Sequence, residues 1–337
     1  MSANVTASEA IVSHRDPLGV SPKHCAVWLA ERDNFLIISH RRPDGDTLGS
    51  AAALAQGLRE AGKTAFVLFN PDVTPRYAPY VEDYWAPDDY KPENIIAVDT
   101  ASVDLFTDNA GIYKDAISLC IDHHSSNSLY GGVNCIDAAR ATCGEIIFDI
   151  LTALSGDVSS VTAERLYIAL STDTGCFSFG NTTADTLFVA ARLIEYGAPN
   201  RVLNKKLFRT KTRGRIKIEG MLASGMEFHF DGKVAIAAIT REMMETAGAC
   251  EDDIDDIAAL AGSVEGVGIG ITIREMSSEN DCKVSIRTML PYDAHAICSY
   301  FDGGGHKMAA GCTIKKPIDE VKSGLLEVVA DYLKSDF

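Results

Sequence analysis

Four groups of acidic and histidine residues in the first half of the chain stand at the ends of strand-like or helix-like runs. The first is His40-Arg41-Arg42-Pro43-Asp44-Gly45-Asp46, directly after the strand-like run Phe35–Ser39 and before an alanine-rich helical pattern. Gly45 permits a tight loop between two carboxylates, so both can turn toward one centre. Asp46 sits near a helix N-terminus, where a carboxylate is favoured. An isolated Asp-x-Asp is a capped turn; a histidine four residues upstream and small residues downstream argue for more. Asp99 ends the run Ile95-Ile96-Ala97-Val98, a place that by itself reads as a turn position. Asp122-His123-His124 follows Ile117–Ile121, and adjacent histidines point in different directions, so one can bind a cation while its neighbour faces substrate. Asp173, in Ser171-Thr172-Asp173-Thr174-Gly175, lies just past a helix end. His40, Asp44, Asp46, Asp99, His123 and Asp173 together offer carboxylate and imidazole with no thiolate. That set suits hard or borderline cations such as Mn2+ rather than structural zinc. Six ligands exceed the need of one catalytic ion. Two ions sharing a bridging carboxylate use them all, and such pairs, roughly 3.5 to 4 Å apart, clamp the attacking and leaving oxygens of a phosphoryl displacement.

The elements that must hold these residues alternate. Strand-like runs at Phe35–Ser39, Thr64–Asn70, Ile95–Asp99 and Ile117–Ile121 are separated by helical patterns, of which the first spans Thr47–Ala61. Short, doubly buried runs between helices predict an α/β domain with a parallel sheet covered on both faces, and in such sheets ligands bind at the carboxyl ends of the strands. Further helices are expected at Gly144–Leu154 and Ala163–Ser171. A helical tract from Thr183 to about Met221, broken at Gly197-Ala198-Pro199, reads as a connection. Beyond it, strands at Lys233–Ile239, Gly268–Arg274 and Lys283–Thr288 and helices at Arg241–Ala247, Asp255–Leu260, Asp293–Tyr300 and Ile318–Leu333 predict a smaller α/β domain. The expected organisation is an N-terminal extension over 1–22, a catalytic domain over 23–182, a helical linker over 183–222 and a second domain over 223–337. The active site is expected in the cleft between the two domains.

The chain has 337 residues and a formal net charge of −16. An acidic surface repels a long polyanion, whose binding gains from the release of counterions by many Lys and Arg. A nucleic-acid ligand is therefore expected to be short and gripped locally. Lys205, Lys206, Arg209, Lys211, Arg213, Arg215 and Lys217 run against this balance. They form either a solvated helix face or a basic wall offsetting substrate phosphates. Nine cysteines are scattered singly with no C-x-x-C pair, which fits a reducing cytosol. No apolar run approaches the ~20 residues needed to span a bilayer, so neither a membrane nor a signal peptide is expected.

These motifs resemble the DHH phosphoesterase family, named for the Asp-His-His present as Asp122-His123-His124. The resemblance runs from about Asn34 to Asp336. It includes His40-x-x-Pro43-Asp44-Gly45-Asp46, Val98-Asp99 and Thr172-Asp173-Thr174-Gly175. In the second domain, Val284-Ser285-Ile286-Arg287 and Gly303-Gly304-Gly305-His306 resemble the family's associated C-terminal domain. The resemblance implies one Mn2+ between His40, Asp44 and Asp99 and a second between Asp46, His123 and Asp173, with Asp99 bridging; Mg2+ or Co2+ are the substitutes. It places Asp122 behind the ligands as an orienting carboxylate and His124 at the scissile phosphate. Arg287, Gly303, Gly304, Gly305 and His306 would hold the far end of the substrate. Glycines there let backbone N–H groups approach an anion, and an arginine fork matches phosphate oxygens. Arg42 and Ser126 depart from the residues most frequent in the pattern, Asn and Thr.

The function so implied is hydrolysis of short oligoribonucleotides (nanoRNA), of linear or cyclic dinucleotides such as pApA or c-di-AMP, and of 3′-phosphoadenosine 5′-phosphate. The route is a two-metal hydroxide attack in a cytoplasmic enzyme, with dimerisation through the first domain carried by family analogy. The competing readings are an inorganic pyrophosphatase or polyphosphatase, against which the Gly-Gly-Gly-His motif argues, and a catalytically silent nucleotide-binding regulator, which would not need six ligands.

Overall fold

The apolar runs of the first half become the strands β1 (Leu18–Gly19), β2 (Phe35–Ile38), β3 (Ala65–Val67), β4 (Asn94–Val98), β5 (Ile117–Asp122) and β6 (Val133–Ile136). This computed structural model describes residues 18–254, 257–276 and 281–335. The strands lie in the order β1-β6-β5-β4-β2-β3; five are parallel and β1 is an antiparallel edge on β6. All four residues of β2 and four of five in β4 are buried, as expected of a parallel sheet covered on both faces. Helices α1 (Pro22–Ala30), α2 (Gly45–Glu60), α3 (Cys143–Ser155), α4 (Ser160–Asp173) and α5 (Ala184–Glu195) accompany it. From β2 the chain crosses to β3 on one side, whereas β4, β5 and β6 are laid down on the other. The strand order therefore reverses between β2 and β4, and ligand sites open at the carboxyl ends of strands at such a reversal.

Helix α2 positions half of the candidate ligands. Its N-cap is Asp44, whose side chain accepts from the Thr47 amide at 3.0 Å. Its glycines let it lie close on α4: a Cβ on Gly45 would fall 2.4 Å from the Thr172 side chain, and one on Gly49 would fall 2.6 Å from the Arg165 carbonyl oxygen. Leu48, Leu54 and Leu58 are buried with it, each worth about 1.5–3 kcal/mol.

The chain divides into two compact units, one ending at Thr210 and the other beginning at Lys211. The helical tract breaks after α5, where Gly197 has φ 101°. It resumes at Asn200–Asn204, continues as a π turn over Lys205–Arg209, and is followed by α6 (Arg213–Ser224) in the second unit. Within the basic stretch, Lys211 and Arg215 both pair with Glu219 (2.7 and 2.6 Å), and Lys206 lies over the Tyr80 ring.

The second unit carries a six-stranded sheet of order β11-β12-β10-β9-β8-β7. The strands are β7 (Glu227–His229), β8 (Val234–Ile239), β9 (Ile269–Glu275), β10 (Asp281–Thr288), β11 (Gly304–His306) and β12 (Ala309–Lys315), with only β8–β9 parallel. Helices α7 (Arg241–Ala247), α8 (Ala294–Ser299) and α9 (Ile318–Ser335) complete it. Burial alternates along β10, so one face joins the core with Val284 and Ile286 while Ser285 and Arg287 on the other are half-buried.

Two expectations change. The helix expected at Asp255–Leu260 is a single 3-10 turn at Ile257–Ala259; Asp255 and Asp256 lie outside the described residues. Like charges crowd its start and Gly262 follows closely, so no longer helix is favoured. Of the extension expected over 1–22, residues 1–17 lie outside the described ones; Leu18–Gly19 forms β1 and Pro22 opens α1.

Candidate metal centre

Each predicted ligand of the first unit sits at an element end. His40 follows β2 and bridges to Phe106. Asp44 and Asp46 stand at the start of α2, and Asp173 is the last residue of α4. Asp99 follows β4 with φ 50°, held by its amide donating to the Ile121 carbonyl at 2.9 Å. A left-handed conformation at an aspartate costs about 1 kcal/mol or more, and such strain collects at functional sites. Asp122 ends β5 and the two histidines follow it.

The six residues come together as two adjoining groups. His40, Asp44 and Asp99 form one and Asp46, His123 and Asp173 the other; within each group the ligand atoms lie within 4.8 Å of one another. The two oxygens of Asp99 divide between them: Oδ2 is 3.9 Å from His40 Nε2, and Oδ1 is 3.4 Å from His123 Nε2. The tautomers follow from the neighbours. His40 Nδ1 is 2.7 Å from the Arg41 carbonyl and His123 Nδ1 is 3.3 Å from the Arg140 carbonyl. A carbonyl only accepts, so both Nδ1 atoms carry hydrogen, and in the neutral, metal-binding form each Nε2 presents a lone pair. The lone pair of His123 therefore faces Asp46 (3.6 Å), Asp99 (3.4 Å) and Asp173 (3.8 Å). That arrangement is repulsive unless a positive charge sits among them. Asp99 Oδ1 is buried with no hydrogen-bond partner, a costly state for a carboxylate oxygen that a cation relieves. On these grounds the residues fit a divalent cation, and hard oxygen ligands with imidazole suit that class.

Electrostatics point the same way. Burial first, and then the charge of Asp99, push the Asp46 carboxyl well above its ordinary value. Asp173 rises to about 6, chiefly through burial, although His123 opposes this. Burial disfavours the charged form of His123, yet the nearby Asp99 carboxylate (3.4 Å) and the charges of Asp46 and Asp173 outweigh that and raise it to about 10. A divalent cation held among these groups would favour their deprotonated forms.

Behind the cluster, Asp46 Oδ2 accepts from the Cys143 amide (2.8 Å), and its Oδ1 accepts from the Gly144 amide (3.1 Å) and the Ser50 hydroxyl (3.0 Å). It is thereby fixed by the N-terminus of α3, a favourable place for a carboxylate. Asp122, fully buried, accepts from the His123 amide (2.8 Å), the His124 Nδ1–H (2.8 Å) and Asn127 Nδ2 (2.6 Å). Burial would raise its pKa, but the bonds from His124 and Asn127 prevail and hold it low. The Asp122 bond raises the pKa of His124 and leaves its Nε2 free. His124 lines a cavity of about 720 Å³ together with His40, Arg41, Arg42, Asp99 and Ser126.

Thr47 is the residue that sequence reasoning missed. Its buried hydroxyl lies 2.6 Å from His40 Nε2, 2.6 Å from Asp99 Oδ2 and 3.1 Å from Asp44 Oδ1. It therefore positions the whole first group. Three residues into a helix, a threonine carries no signal of such a role.

In the second unit two of the expected anion contacts, Arg287 and His306, are neighbours in register. Arg287 on β10 pairs with Ala309 on β12, which pairs with His306 on β11. Directly opposite residues share a face, so Arg287 and His306 flank a small alanine. The adjacent row, Ile286 and Ala310, is buried, which leaves the arginine row on the opposite face, where Arg287 is half-buried and His306 exposed. Gly303 and Gly305 have no room for a Cβ: it would fall 2.6 Å from the Gly311 and Ala309 carbonyl oxygens respectively. Gly304 is exposed with open space around it.

Residues 34–170 match the model of the DHH family, N-terminal domain, and residues 231–335 that of the DHHA1 domain. The bifunctional oligoribonuclease and PAP phosphatase NrnA of Thermus thermophilus is 33% identical over 301 residues, 88% of this chain and 89% of that protein. The Bacillus subtilis protein of the same name is 26% identical over 84% of this chain and 90% of its own length. Cyclic-di-AMP phosphodiesterase GdpP of Geobacillus thermodenitrificans is 22% identical over 91% of this chain, which is 48% of that protein. Among solved structures, an exopolyphosphatase-related protein from Bacteroides fragilis has a TM-score of 0.79 at 22% identity, covering 93% of this chain and 96% of that one. Exonuclease RecJ bound to manganese has a TM-score of 0.53 at 14% identity over 94% of each chain. At such identities these two structures show a shared fold alone.

Proposed function

The chain belongs to the DHH family, and from that premise we propose that it is a hydrolase that cleaves phosphate esters of short oligoribonucleotides and dinucleotides and removes the 3′-phosphate of 3′-phosphoadenosine 5′-phosphate. The substrates are those named for the NrnA relatives, with cyclic di-AMP added from GdpP. One observation carries the reading: six oxygen and imidazole ligands converge at the carboxyl ends of β2, β4 and β5, with a buried, unpartnered Asp99 oxygen between their two groups. His40, Asp44 and Asp99 would hold one divalent ion and Asp46, His123 and Asp173 the other, with Asp99 common to both and Mn2+ the preferred metal. Such ions supply an activated water at neutral pH and neutralise charge on the phosphoryl oxygens.

The chain's own groups do the rest. Thr47 and Asp122 fix the ligands and His124. Imidazole Nε2 of His124, with its other nitrogen tied to Asp122, gives a proton to the leaving oxygen or stabilises its charge. Arg287 and His306, on the second unit, would supply a separate phosphate contact. The enzyme belongs in the cytoplasm, where its nine free cysteines stay reduced. No helix among the described residues is long and apolar enough to cross a membrane.

The test is initial rates with Mn2+ on di- to decaribonucleotides, cyclic di-AMP, pApA, 3′-phosphoadenosine 5′-phosphate and pyrophosphate. A maximum at two to five nucleotides supports the proposal; preference for pyrophosphate, or no hydrolysis, refutes it. Asp99→Asn should lower kcat about a thousandfold or more, whereas Arg287→Ala should mainly raise KM, as loss of a binding contact does.

A further inference from the structure

Two charged residues of the cavity have no task in the reading above. Arg41 and Arg42 are exposed and line it beside His40, Asp99 and His124. Among the described residues neither guanidinium has a hydrogen bond or a carboxylate partner. Their backbone, by contrast, is pinned. The Arg41 amide donates to the Leu105 carbonyl at 2.7 Å, and the Arg41 carbonyl accepts from His40 Nδ1 at 2.7 Å. The Arg42 amide donates to Asp72 Oδ2 at 3.1 Å, and Arg42 has φ 52°. Asparagine tolerates that left-handed region and a long side chain gains nothing from it. An arginine held there, its charge committed to no neighbour, bears on something the chain itself does not contain.

The chemistry of that something is anionic, because a planar guanidinium fork matches phosphate oxygens. It is also larger than one phosphate: about 720 Å³ is room for a nucleotide-sized ligand. The scissile group is already assigned to the metal-ligand cluster and His124. We propose that Arg41 and Arg42 clamp a second phosphate of the substrate, one not at the bond being cleaved, so that the enzyme selects short nucleotides carrying a terminal phosphate. This rests on reading the site as a phosphoester hydrolase.

The experiment compares pApA with ApA, which differ only in that phosphate. Values of kcat/KM with Mn2+ are measured for the wild type, Arg42→Asn, Arg41→Gln and the double variant. Equilibrium binding of the same pair is measured in the Asp99→Asn background with and without these substitutions. Asparagine suits the backbone of position 42, so folding is retained, and melting temperatures check this. The clamp predicts that each substitution lowers kcat/KM and affinity for pApA by about tenfold or more, with far smaller losses on ApA. Equal losses on both substrates would assign the arginines to the scissile phosphate and overturn the proposal, and so would an unchanged ratio. If the wild type cleaves neither dinucleotide, the hydrolytic reading fails, while the binding ratio in the Asp99→Asn background still decides for or against the clamp.

Discussion

Gly49 sets how closely α2 approaches α4, and therefore how far Asp46 stands from Asp173. A Cβ at this position would lie 2.6 Å from the Arg165 carbonyl oxygen and 2.9 Å from the Ala169 amide nitrogen, both backbone atoms of the facing helix. Ordinary contact begins at 3.4 Å, so Gly49→Ala forces the helices apart by the difference, about 0.8 Å. Two energies oppose each other. Alanine favours the helix over glycine by about 0.8–1.0 kcal/mol, and overpacking costs about 1–3 kcal/mol. The net loss of stability is thus small, about 2 kcal/mol at most. The chemistry has no such compensation, since a displacement near 1 Å at a reacting centre costs about a hundredfold in rate. The expected signature is a folded protein, melting slightly lower, whose kcat on ApA with Mn2+ falls by about two orders of magnitude. Gly220→Ala is the control: it lies within α6 with nothing within 4 Å of the added carbon. It should stabilise by about 0.8–1.0 kcal/mol and leave the rate alone. If Gly49→Ala behaves like Gly220→Ala, the argument that small residues in α2 set the site's dimensions is wrong.

Three further outcomes are expected. Thr47→Val keeps the volume but removes the hydroxyl shared by His40, Asp44 and Asp99, and titration of metal-free protein should show Mn2+ affinity reduced about 10–100-fold; unaltered affinity would deny Thr47 its positioning role. Adding Mn2+ to EDTA-stripped protein should raise the melting temperature, since an ion at a hundredfold its Kd contributes about 2.7 kcal/mol, and the shift should disappear in Asp99→Asn. The pH dependence of stability concerns the second unit. Asp253, nearly buried, accepts from the Thr212 hydroxyl (2.5 Å) and the Cys250 amide (2.9 Å). Burial would raise its pKa, but these bonds and Arg215 outweigh it and hold it below 3.8. A depressed carboxylate stabilises above its unfolded pKa and loses that contribution as pH falls through the folded value. The stability gap between wild type and Asp253→Asn, about 1–3 kcal/mol near neutrality, should therefore close below pH 3.8; a gap that persists in acid would refute the assignment.

What could be read from the sequence is what local pattern encodes. Strands that are apolar on both faces and end in Asp or His show themselves without tertiary information, which is why β2, β4 and β5 and the acids behind them were legible. Strand β6 was not: Gly131 and Gly132 precede it, and Val133 and Asn134 are only half buried, so neither alternation nor a continuous apolar run marks it. Strand β11 is two glycines and a histidine, all exposed. Its conformation comes from pairing with β12 rather than from propensity, which is the weaker influence in sheets. Thr47 escaped for a related reason. Its type is ordinary for the first turn of a helix, and its importance lies in the three groups that long-range packing brings to one hydroxyl.

The burial of α2 has a consequence for how this enzyme can diversify. Thirteen of its sixteen residues are buried, so almost every position faces metal ligands, a neighbouring helix or the core, and none of those faces can change alone. Heritable novelty has to enter at the rim of the cavity, where Arg41, Arg42 and Ser126 sit on connecting segments and Leu105 ends a short 3-10 turn. A combinatorial library randomised at those four codons should keep most members folded while spreading them across substrates. The same number of codons varied within the helix should yield mainly insoluble protein. The chemistry is thus inherited as a block, and the choice of nucleotide is left to a few loop positions that can drift.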